Sequence, residues 1–200
     1  MSEIRKLHIG CFDQVFPGWI NTDITPHIFV ARIPVLALLL FRVGVLSRQR
    51  YEQHRQGIFR AVRYLDAARK FPYPDNTFDY VYSSHCLEHL YPHQAKSCIS
   101  EIYRVLNKGG IVRIAVPDLD KVVASYDPLC PQPFLESIFE VQQKGHKDRH
   151  YWHYNQISLS QLMSAVGFQD VWRCEFQQGR CADVSLIDNR PDSLFMEATK

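Results

Sequence analysis

Side chains able to do acid–base chemistry concentrate between residues 83 and 89, just after a predicted strand. They are Ser83, Ser84, His85, Glu88 and His89. The preceding run, Phe78–Tyr82, is apolar and β-prone, which is typical of a strand buried on both faces of a parallel sheet. Ligands of open α/β sheets bind beyond the carboxyl ends of such strands, so this region is a candidate site. An imidazole titrates near neutrality, so His85 or His89 could accept a proton from a substrate hydroxyl. The alternative is that one of them caps a helix and the other is packed inside the protein.

The same residues fit a second, unrelated pattern. His85-Cys86-Leu87-Glu88-His89 matches H-x-x-E-H, in which two histidines bind zinc and the glutamate activates water. That motif requires a helix of some length, whereas here a predicted strand leads into it and Pro92 follows closely. A zinc-dependent hydrolase is therefore kept as an alternative, and the main interpretation includes no metal ligands.

A further histidine cluster lies at residues 144–154. It contains His146, His150 and His153, interleaved with Lys144, Lys147 and Arg149 and accompanied by Tyr151, Trp152 and Tyr154. Aromatic rings among positive charges suit a sugar, a phosphorylated sugar or another anionic acceptor. A solvated basic loop is the other interpretation. Glu88, His85, His150, His153 and Tyr154 are therefore candidates for contact with a substrate.

Strands and helices alternate along the chain, which predicts an α/β fold, Rossmann-like and doubly wound, with a mostly parallel seven-stranded sheet and an antiparallel last strand. The predicted strands are 7–11, 18–24, 61–65, 78–82, 111–116, 171–176 and 194–199. The six residues between Cys11 and Gly18 are few for a parallel crossover, so we expect a crossover helix of about one turn. Helices are expected over 95–106, 134–143 and from Ser158, whose pairing with Gln161 matches a capping box, to Gly167.

Two acidic residues are predicted at the same edge of this sheet as His85. Asp23 stands near the end of the second strand, where a carboxylate can accept hydrogen bonds from ribose hydroxyls, although it could equally cap a turn before Pro26. Asp66 follows the third strand.

The segment from Ile28 to Leu46 is apolar on every side. A helix of that kind must be buried, cover a pocket, pair with another chain or touch lipid. It approaches the roughly 20 residues that span a bilayer, but Arg32, Pro34 and Arg42 interrupt it. Several arginines follow. The alternatives are an inserted helix packed on the body or in a homodimer, and peripheral contact with an anionic membrane.

Composition limits the remaining choices. The 200 residues are 46% hydrophobic, enough for one core, so we predict a single domain over 1–200 with an insertion at about 26–60. A net charge of +2 does not indicate nucleic-acid binding. Six cysteines without paired spacing, and no apolar signal region after Met1, favour a cytoplasmic protein, with a membrane-peripheral protein as the alternative.

Taken together, these motifs resemble the class I S-adenosylmethionine-dependent methyltransferases. Phe71–Asp79 resembles the family's segment before its fourth strand, and Leu106–Gly110 its approach to the fifth. Gly167-Phe168 before two closing strands is similar to its carboxyl-terminal signature, and residues 7–24 to its first two strands. The resemblance covers most of the chain except Thr25–Arg60.

The resemblance implies a role for each matching residue. Gly10 and Cys11 would pass under the methionine part of S-adenosylmethionine, Asp23 with Ile24 would bind the ribose, and Asp66 with Ala67 would meet the adenine. Ser83, Ser84 and His85 would form the edge near the sulfonium and the acceptor. The implied reaction is methyl transfer to an O or N atom of a small-molecule or glycan-like acceptor.

The chain departs from the family pattern in its first motif. His8 stands where an acid is usual, and Phe12 where a second glycine is usual. Glycine allows a backbone to approach a ligand closely, so the Phe12 side chain must either clash with the cofactor or turn away. A catalytically silent binding module is the corresponding alternative.

Overall fold

The computed structural model describes residues 4–139 and 149–200, and a seven-stranded sheet forms its centre. The strands are β1 (Lys6–Ile9), β2 (Ile20–Asp23), β3 (Val62–Tyr64), β4 (Phe78–Ser84), β5 (Leu106–Pro117), β6 (Gln169–Cys174) and β7 (Ser193–Thr199). Their order is β3-β2-β1-β4-β5-β7-β6. All ladders are parallel except the two made by β7, which runs antiparallel to β5 and to β6. The predicted fold class is confirmed.

Helices cover both faces of the sheet, as its buried central strands require. They are α1 (His27–Val30), α2 (Pro34–Arg42), α3 (Arg48–Arg55), α4 (Pro92–Val105), α5 (Leu119–Ala124), α6 (Gln132–Phe139), α7 (Gln156–Val166) and α8 (Val184–Ile187). Single 3₁₀ turns occur at Ile58–Arg60 and Leu87–His89. Within the described ranges, no helix combines the length and apolar character needed to cross a membrane.

The core follows the predicted apolar pattern. Leu7 and Ile9 of β1, Val81 of β4 and Val112 of β5 are fully buried. α4 packs on them through the apolar face expected from its helical spacing, made by Ala95, Cys98, Ile99, Ile102 and Val105. The same layer receives Leu159 and Met163 of α7.

Three local predictions need correction, and a fourth is only partly covered by the described residues. β1 and β2 are parallel neighbours, but turns rather than a one-turn helix connect them. Asn107–Gly110 does not separate α4 from the next strand, because β5 begins at Leu106, directly after the helix. α7 is capped by the Asn155 side chain, with Ser158 as the third residue of its first turn, so its start lies earlier than predicted. Of the predicted helix 134–143, residues 140–143 lie outside the described residues.

The predicted insertion contains α1, α2, α3 and the first 3₁₀ turn, all between β2 and β3. α3 does not extend into solvent but folds back onto the loop after β1. Arg50 Nη1 and Gln53 Nε2 donate to Asp13 Oδ2 over 2.6 and 2.9 Å. The insertion therefore forms part of the wall at the carboxyl edge of the sheet.

Candidate active site

The carboxyl ends of the first four strands surround one cavity of about 360 Å³. Its lining includes Gly10, Phe12, Asp23, Ile24, Asp66, Ala67, His85, Cys86 and His89. The two carboxylates predicted to share an edge of the sheet therefore face the same space. The volume lies within the range of small-molecule sites, so the cavity could accommodate a nucleoside between the two acids.

Asp23 is held firmly at this cavity. Its Oδ2 accepts from the backbone N–H of Phe12 at 2.9 Å, and its Oδ1 accepts from Thr25 N at 2.7 Å. Burial raises the pKa of the Asp23 carboxyl, and these backbone donors oppose that shift. Each carboxylate oxygen can accept more than one hydrogen bond, so both remain able to bind a hydroxyl.

Asp66 follows β3 at the same edge of the sheet, one strand away from Asp23. Its Oδ1 accepts from Ala68 N at 2.9 Å, which forms a turn after β3, and Arg69 Nε lies 3.1 Å from its Oδ2. The pairing with Arg69 is exposed and therefore weak. A ligand with an amino group could thus bind the Asp66 carboxylate without breaking a buried interaction.

Gly10 lets the loop after β1 approach the end of β4. Its φ is +72°, and a Cβ built there would lie 2.7 Å from the Cβ of Cys86. Its N–H donates to Thr22 O at 2.9 Å, which ties the loop to β2. Only glycine meets both requirements without displacing the chain.

We expect Gly10→Ala to lower the free energy of unfolding by about 1–3 kcal/mol, because it adds backbone strain and a contact with Cys86. Gly44 provides a matched control, since its φ is +76° but a Cβ there would have no atom within 4 Å. Urea denaturation of both variants measures the difference. Equal losses for Gly10→Ala and Gly44→Ala would mean that the contact with Cys86 is unimportant.

The Phe12 side chain packs against the insertion, although Phe12 also lines the cavity that contains Asp23 and Asp66. The guanidinium of Arg50 lies 4.4 Å from the centre of its ring, and the rings of His27 and Phe59 are each 6.1 Å away. Its backbone nevertheless takes the left-handed conformation expected of glycine, with φ of 45°. The inserted helices therefore provide the pocket that accommodates this departure from the family pattern.

The other departure, His8, is a core residue. It is 2% exposed, stacks on Phe16 with ring centres 4.8 Å apart, and approaches Asn21 Oδ1 at 3.3 Å. Burial lowers the pKa of His8 to about 4, so it is neutral at physiological pH. The site thus lacks the negative charge that an acid would contribute here.

A second cavity of about 460 Å³ adjoins the first and shares Gly10, Phe12 and His85 with it. The predicted residues Cys11 and Ser84 lie in its wall. Cys11 is 1% exposed, and burial raises the pKa of its thiol, so it acts as a wall and not as a nucleophile. Ser83 is also buried, behind this surface.

His85 lies where three cavities meet. It lines the two described above and a third of about 700 Å³. One ring nitrogen, Nε2, lies 2.8 Å from Ser193 Oγ, and the other, Nδ1, lies 3.1 Å from Glu88 Oε1. Its φ of 48° turns the chain sharply after β4, which directs the side chain across the carboxyl edge. His85 is thus placed between the cavity that contains Asp23 and Asp66 and the larger third cavity.

Glu88 stands behind this histidine. Its carboxylate is buried, and neither oxygen has a partner with hydrogen-bond geometry among the described residues. The 3.1 Å contact with His85 is therefore an electrostatic one, with His150 Nε2 farther away, at 3.9 Å. Tyr154 is likewise 3% exposed. Glu88 and Tyr154 thus support the site from behind and do not line these cavities.

His89 and His150 form the outer part of the same cluster. Their ring centres are 4.8 Å apart, and His153 lies 5.7 Å from His150. His89 Nδ1 lies 3.2 Å from Arg149 O, so a proton on that nitrogen is donated to the carbonyl. Of the predicted acceptor cluster, His146 lies outside the described residues.

The zinc-hydrolase alternative is not favoured by this geometry. Residues 87–89 form a single 3₁₀ turn where the motif requires a helix. His85 also directs one nitrogen to Glu88 and the other to Ser193, away from a shared site with His89. A different set, Glu88, His89 and His150, brings one possible ligand atom each to within 4.8 Å of the others.

Sequence reasoning missed most of the third cavity. Its wall consists of His85, Pro117, Asp118, Lys121, Val122, Ser125 and residues 189–193. Asn189 and Arg190 belong to it and also to the second cavity, so the two spaces share a border. The only sequence signal here was the length of the segment between the last two predicted strands, which suits a loop-bearing antiparallel return.

The chain resembles known proteins at two levels, a family model and solved structures. Residues 43–114 match the family model described as a methyltransferase domain, a stretch that runs from the insertion into β5. No curated protein matches the chain.

Solved structures resemble the chain over nearly its whole length. A methyltransferase from Thermotoga maritima, described as a possible histamine N-methyltransferase, is 15% identical, with 100% of this chain and 84% of that one covered and a TM-score of 0.53. An S-adenosylmethionine-dependent methyltransferase from Archaeoglobus fulgidus is 17% identical, with 98% and 86% covered and a TM-score of 0.53. Phosphoethanolamine N-methyltransferase 2 of Haemonchus contortus, solved with S-adenosyl-L-methionine, is 17% identical, with 100% and 49% covered and a TM-score of 0.55.

The structural likenesses, at such low identity, establish the fold, and the family match adds the type of domain. Together they support the class predicted from the sequence, a class I S-adenosylmethionine-dependent methyltransferase. They support methyltransferase activity and S-adenosylmethionine as the cofactor in the same way. The chain spans about half the length of the Haemonchus protein.

Proposed function

We propose that the protein transfers a methyl group from S-adenosylmethionine to an O or N atom of a polar small-molecule or glycan-like acceptor. The observation that carries this proposal is the position of His85, which lines both the cavity holding Asp23 and Asp66 and the cavity formed with residues 189–193. Direct displacement from a sulfonium requires an aligned acceptor, a proton acceptor and exclusion of water.

The residues of the first cavity would hold the cofactor. Asp23 would bind the ribose hydroxyls, Asp66 and Ala67 the adenine, and Gly10 would let the loop after β1 approach the methionine part. The cofactor, once bound, supplies the electrophilic methyl group. Asp23 and Asp66 lie on one cavity, which supports this arrangement.

The third cavity would hold the acceptor. Lys121, Arg190, Asp118 and Asp192 bring charges of both signs to its wall, which suits a polar molecule with several hydroxyl groups. His85 would receive the acceptor's proton. His89, supported by His150 and His153, would keep the opposite side of the cofactor cavity closed.

Calorimetric titration with S-adenosylhomocysteine tests cofactor binding first. Turnover is then measured as release of S-adenosylhomocysteine in the presence of monosaccharides, sugar phosphates and small amines. Binding followed by turnover supports the proposal, and binding without turnover across the panel favours the silent module. A lack of binding would contradict the cofactor assignment itself.

We expect His85→Ala to reduce methyl transfer by about 10²- to 10⁴-fold, the usual contribution of a positioned proton acceptor. Affinity for S-adenosylhomocysteine should change little, because the two acids and the loop after β1 remain. His93→Ala is the matched control, since His93 is exposed on α4, and it should retain full activity. Equal rates for the two variants would remove His85 from the mechanism.

A further inference from the structure

The insertion exposes an unusual concentration of apolar side chains. Six of them, all at least half exposed, lie within residues 29–45: Phe29, Ile33, Val35, Leu39, Val43 and Val45. Val35 and Leu39 are four residues apart on α2, so they share a helix face, and Val43 continues it. Single exposed apolar residues are ordinary, whereas a cluster of this kind marks a contact surface. We call these six side chains the apolar face.

The charge around the apolar face is strongly positive. Residues 24–63 contain seven arginines and one acidic residue, Glu52, which gives a formal charge of +6. The whole chain carries +2, so the other 160 residues together carry −4. The net positive charge of the chain thus comes from the segment that exposes the apolar residues. That combination is typical of surfaces that lie on anionic bilayers.

A small cavity of about 200 Å³ opens between α2 and α3 within this segment. Its wall combines the apolar residues Val30, Ala31, Ile33 and Ala37 with Tyr51, His54, Arg55 and Arg60. One water occupies about 30 Å³, so a phosphate group and several waters fit the space. The cavity therefore brings two guanidinium groups next to the apolar face.

The polar groups of this cavity are available for an anion. Arg55 has only an exposed pairing with Glu52, at 3.1 Å, and no carboxylate in the described part of the chain pairs with Arg60. His54 is 7% exposed, its Nε2 lies 3.0 Å from His27 Nδ1, and its own Nδ1 is buried without a partner. When His27 donates the shared proton, His54 Nδ1 carries a hydrogen that an anion could accept.

We propose that the apolar face and this cavity together bind an anionic lipid bilayer, with a headgroup phosphate between Arg55 and Arg60. Phe29, Ile33, Val35 and Leu39 would enter the boundary between headgroups and acyl chains. A second copy of this chain is a poorer occupant, because two such faces would bring +6 against +6. The proposal is independent of the methyl acceptor. It places the membrane beside the loop that carries Phe12 and Asp13, since Arg50 and Gln53 bind that loop.

Sedimentation with vesicles of phosphatidylcholine, alone or mixed with phosphatidylglycerol, tests the proposal. The protein should sediment with the anionic vesicles and less so as salt is raised. Arg55→Gln and Arg60→Gln should each weaken partitioning about 5-fold, and Val35→Asp with Leu39→Asp should abolish it. Leu129→Asp is the matched control, because Leu129 is 93% exposed outside the insertion.

Each other outcome has a defined meaning. Equal sedimentation with neutral vesicles, or none with either kind, would overturn the proposal. The proposal would also be overturned if the protein bound no vesicles but formed a dimer in analytical ultracentrifugation, and if Val35→Asp with Leu39→Asp dissociated that dimer. Competition between inorganic phosphate and vesicles would support binding of the headgroup phosphate in the cavity. If inorganic phosphate does not displace the protein from vesicles, the assignment of the cavity to a phosphate is rejected. Unchanged binding of S-adenosylhomocysteine verifies that each variant is folded.

Discussion

Replacing Asp23 with alanine is expected to weaken binding of S-adenosylhomocysteine by about 10- to 150-fold. A hydrogen bond to a charged group contributes about 1.5–3 kcal/mol, which corresponds to that range. The carboxylate is already fixed by Phe12 N and Thr25 N, so it needs no rearrangement to receive a ribose hydroxyl. Calorimetry at pH 7 measures the loss.

Two companion variants separate binding from folding. Asp23→Asn keeps the shape and one accepting oxygen, so its affinity should lie between those of the wild type and Asp23→Ala. Asp66→Ala should weaken the binding of S-adenosylhomocysteine less than Asp23→Ala does, because the Asp66 carboxylate would contact a single amino group. Unchanged affinity in both alanine variants, with unaltered melting temperatures, would place the nucleoside elsewhere.

Acidification provides an independent check on Asp23. Burial raises the pKa of its carboxyl, and under the proposed function the ionised form would bind the ribose. Affinity should therefore fall as the pH decreases, and the fall should begin at a higher pH than for an ordinary aspartate. Asp23→Asn should remove this dependence, since an amide does not titrate in that range. A wild-type profile as flat as that of the asparagine variant would contradict the assignment.

The alternation of strands and helices and one edge of the site were predictable because their signals are local. An apolar, β-prone run such as Phe78–Tyr82 reports burial on both faces, and the residues after parallel strands meet at one edge. This is why Asp23, Asp66 and His85 could be placed together before the fold was known. Asn107–Gly110 was wrongly expected to separate α4 from the fifth strand. These residues form an irregularity within β5, because β4 pairs with Leu106 before them and with Ile111 after them.

Phe12 shows what local signals cannot give. Whether its ring would clash with the cofactor depends on Arg50, which lies in α3 and reaches the loop after β1 across 37 positions of sequence. No spacing rule predicts that the insertion folds back in this way. The departure at Phe12 and the insertion at α1–α3 are thus two parts of one structural solution. The insertion provides a place for the Phe12 ring, which a glycine at this position would not need.

The wall formed by residues 189–193 was missed for a similar reason, and its stability rests on Arg113. This side chain of β5 is fully buried and pairs with Asp188 and Glu197, 75 and 84 positions away. It also donates to the carbonyl oxygens of Glu175 and Gln178. The same two carboxylates accept from the backbone N–H groups of residues 177, 180 and 181. One buried arginine therefore organises the whole connection between β6 and β7.

Arg113→Leu is accordingly expected to lower the free energy of unfolding by about 3–5 kcal/mol, because it leaves two buried carboxylates without their counter-charge. Arg69→Leu is the matched control: its pairing with Asp66 is exposed, so stability should hardly change. Urea denaturation compares them.

The position of Arg113 also predicts which function is lost first. Asn189 and Arg190 directly follow Asp188, so loosening this connection should disturb the acceptor cavity more than the cavity around Asp23. In conditions where Arg113→Leu remains folded, its turnover should fall while its affinity for S-adenosylhomocysteine stays close to that of the wild type. Equal stability losses in Arg113→Leu and Arg69→Leu, or a parallel loss of cofactor affinity, would show that the buried pairs do not organise this wall.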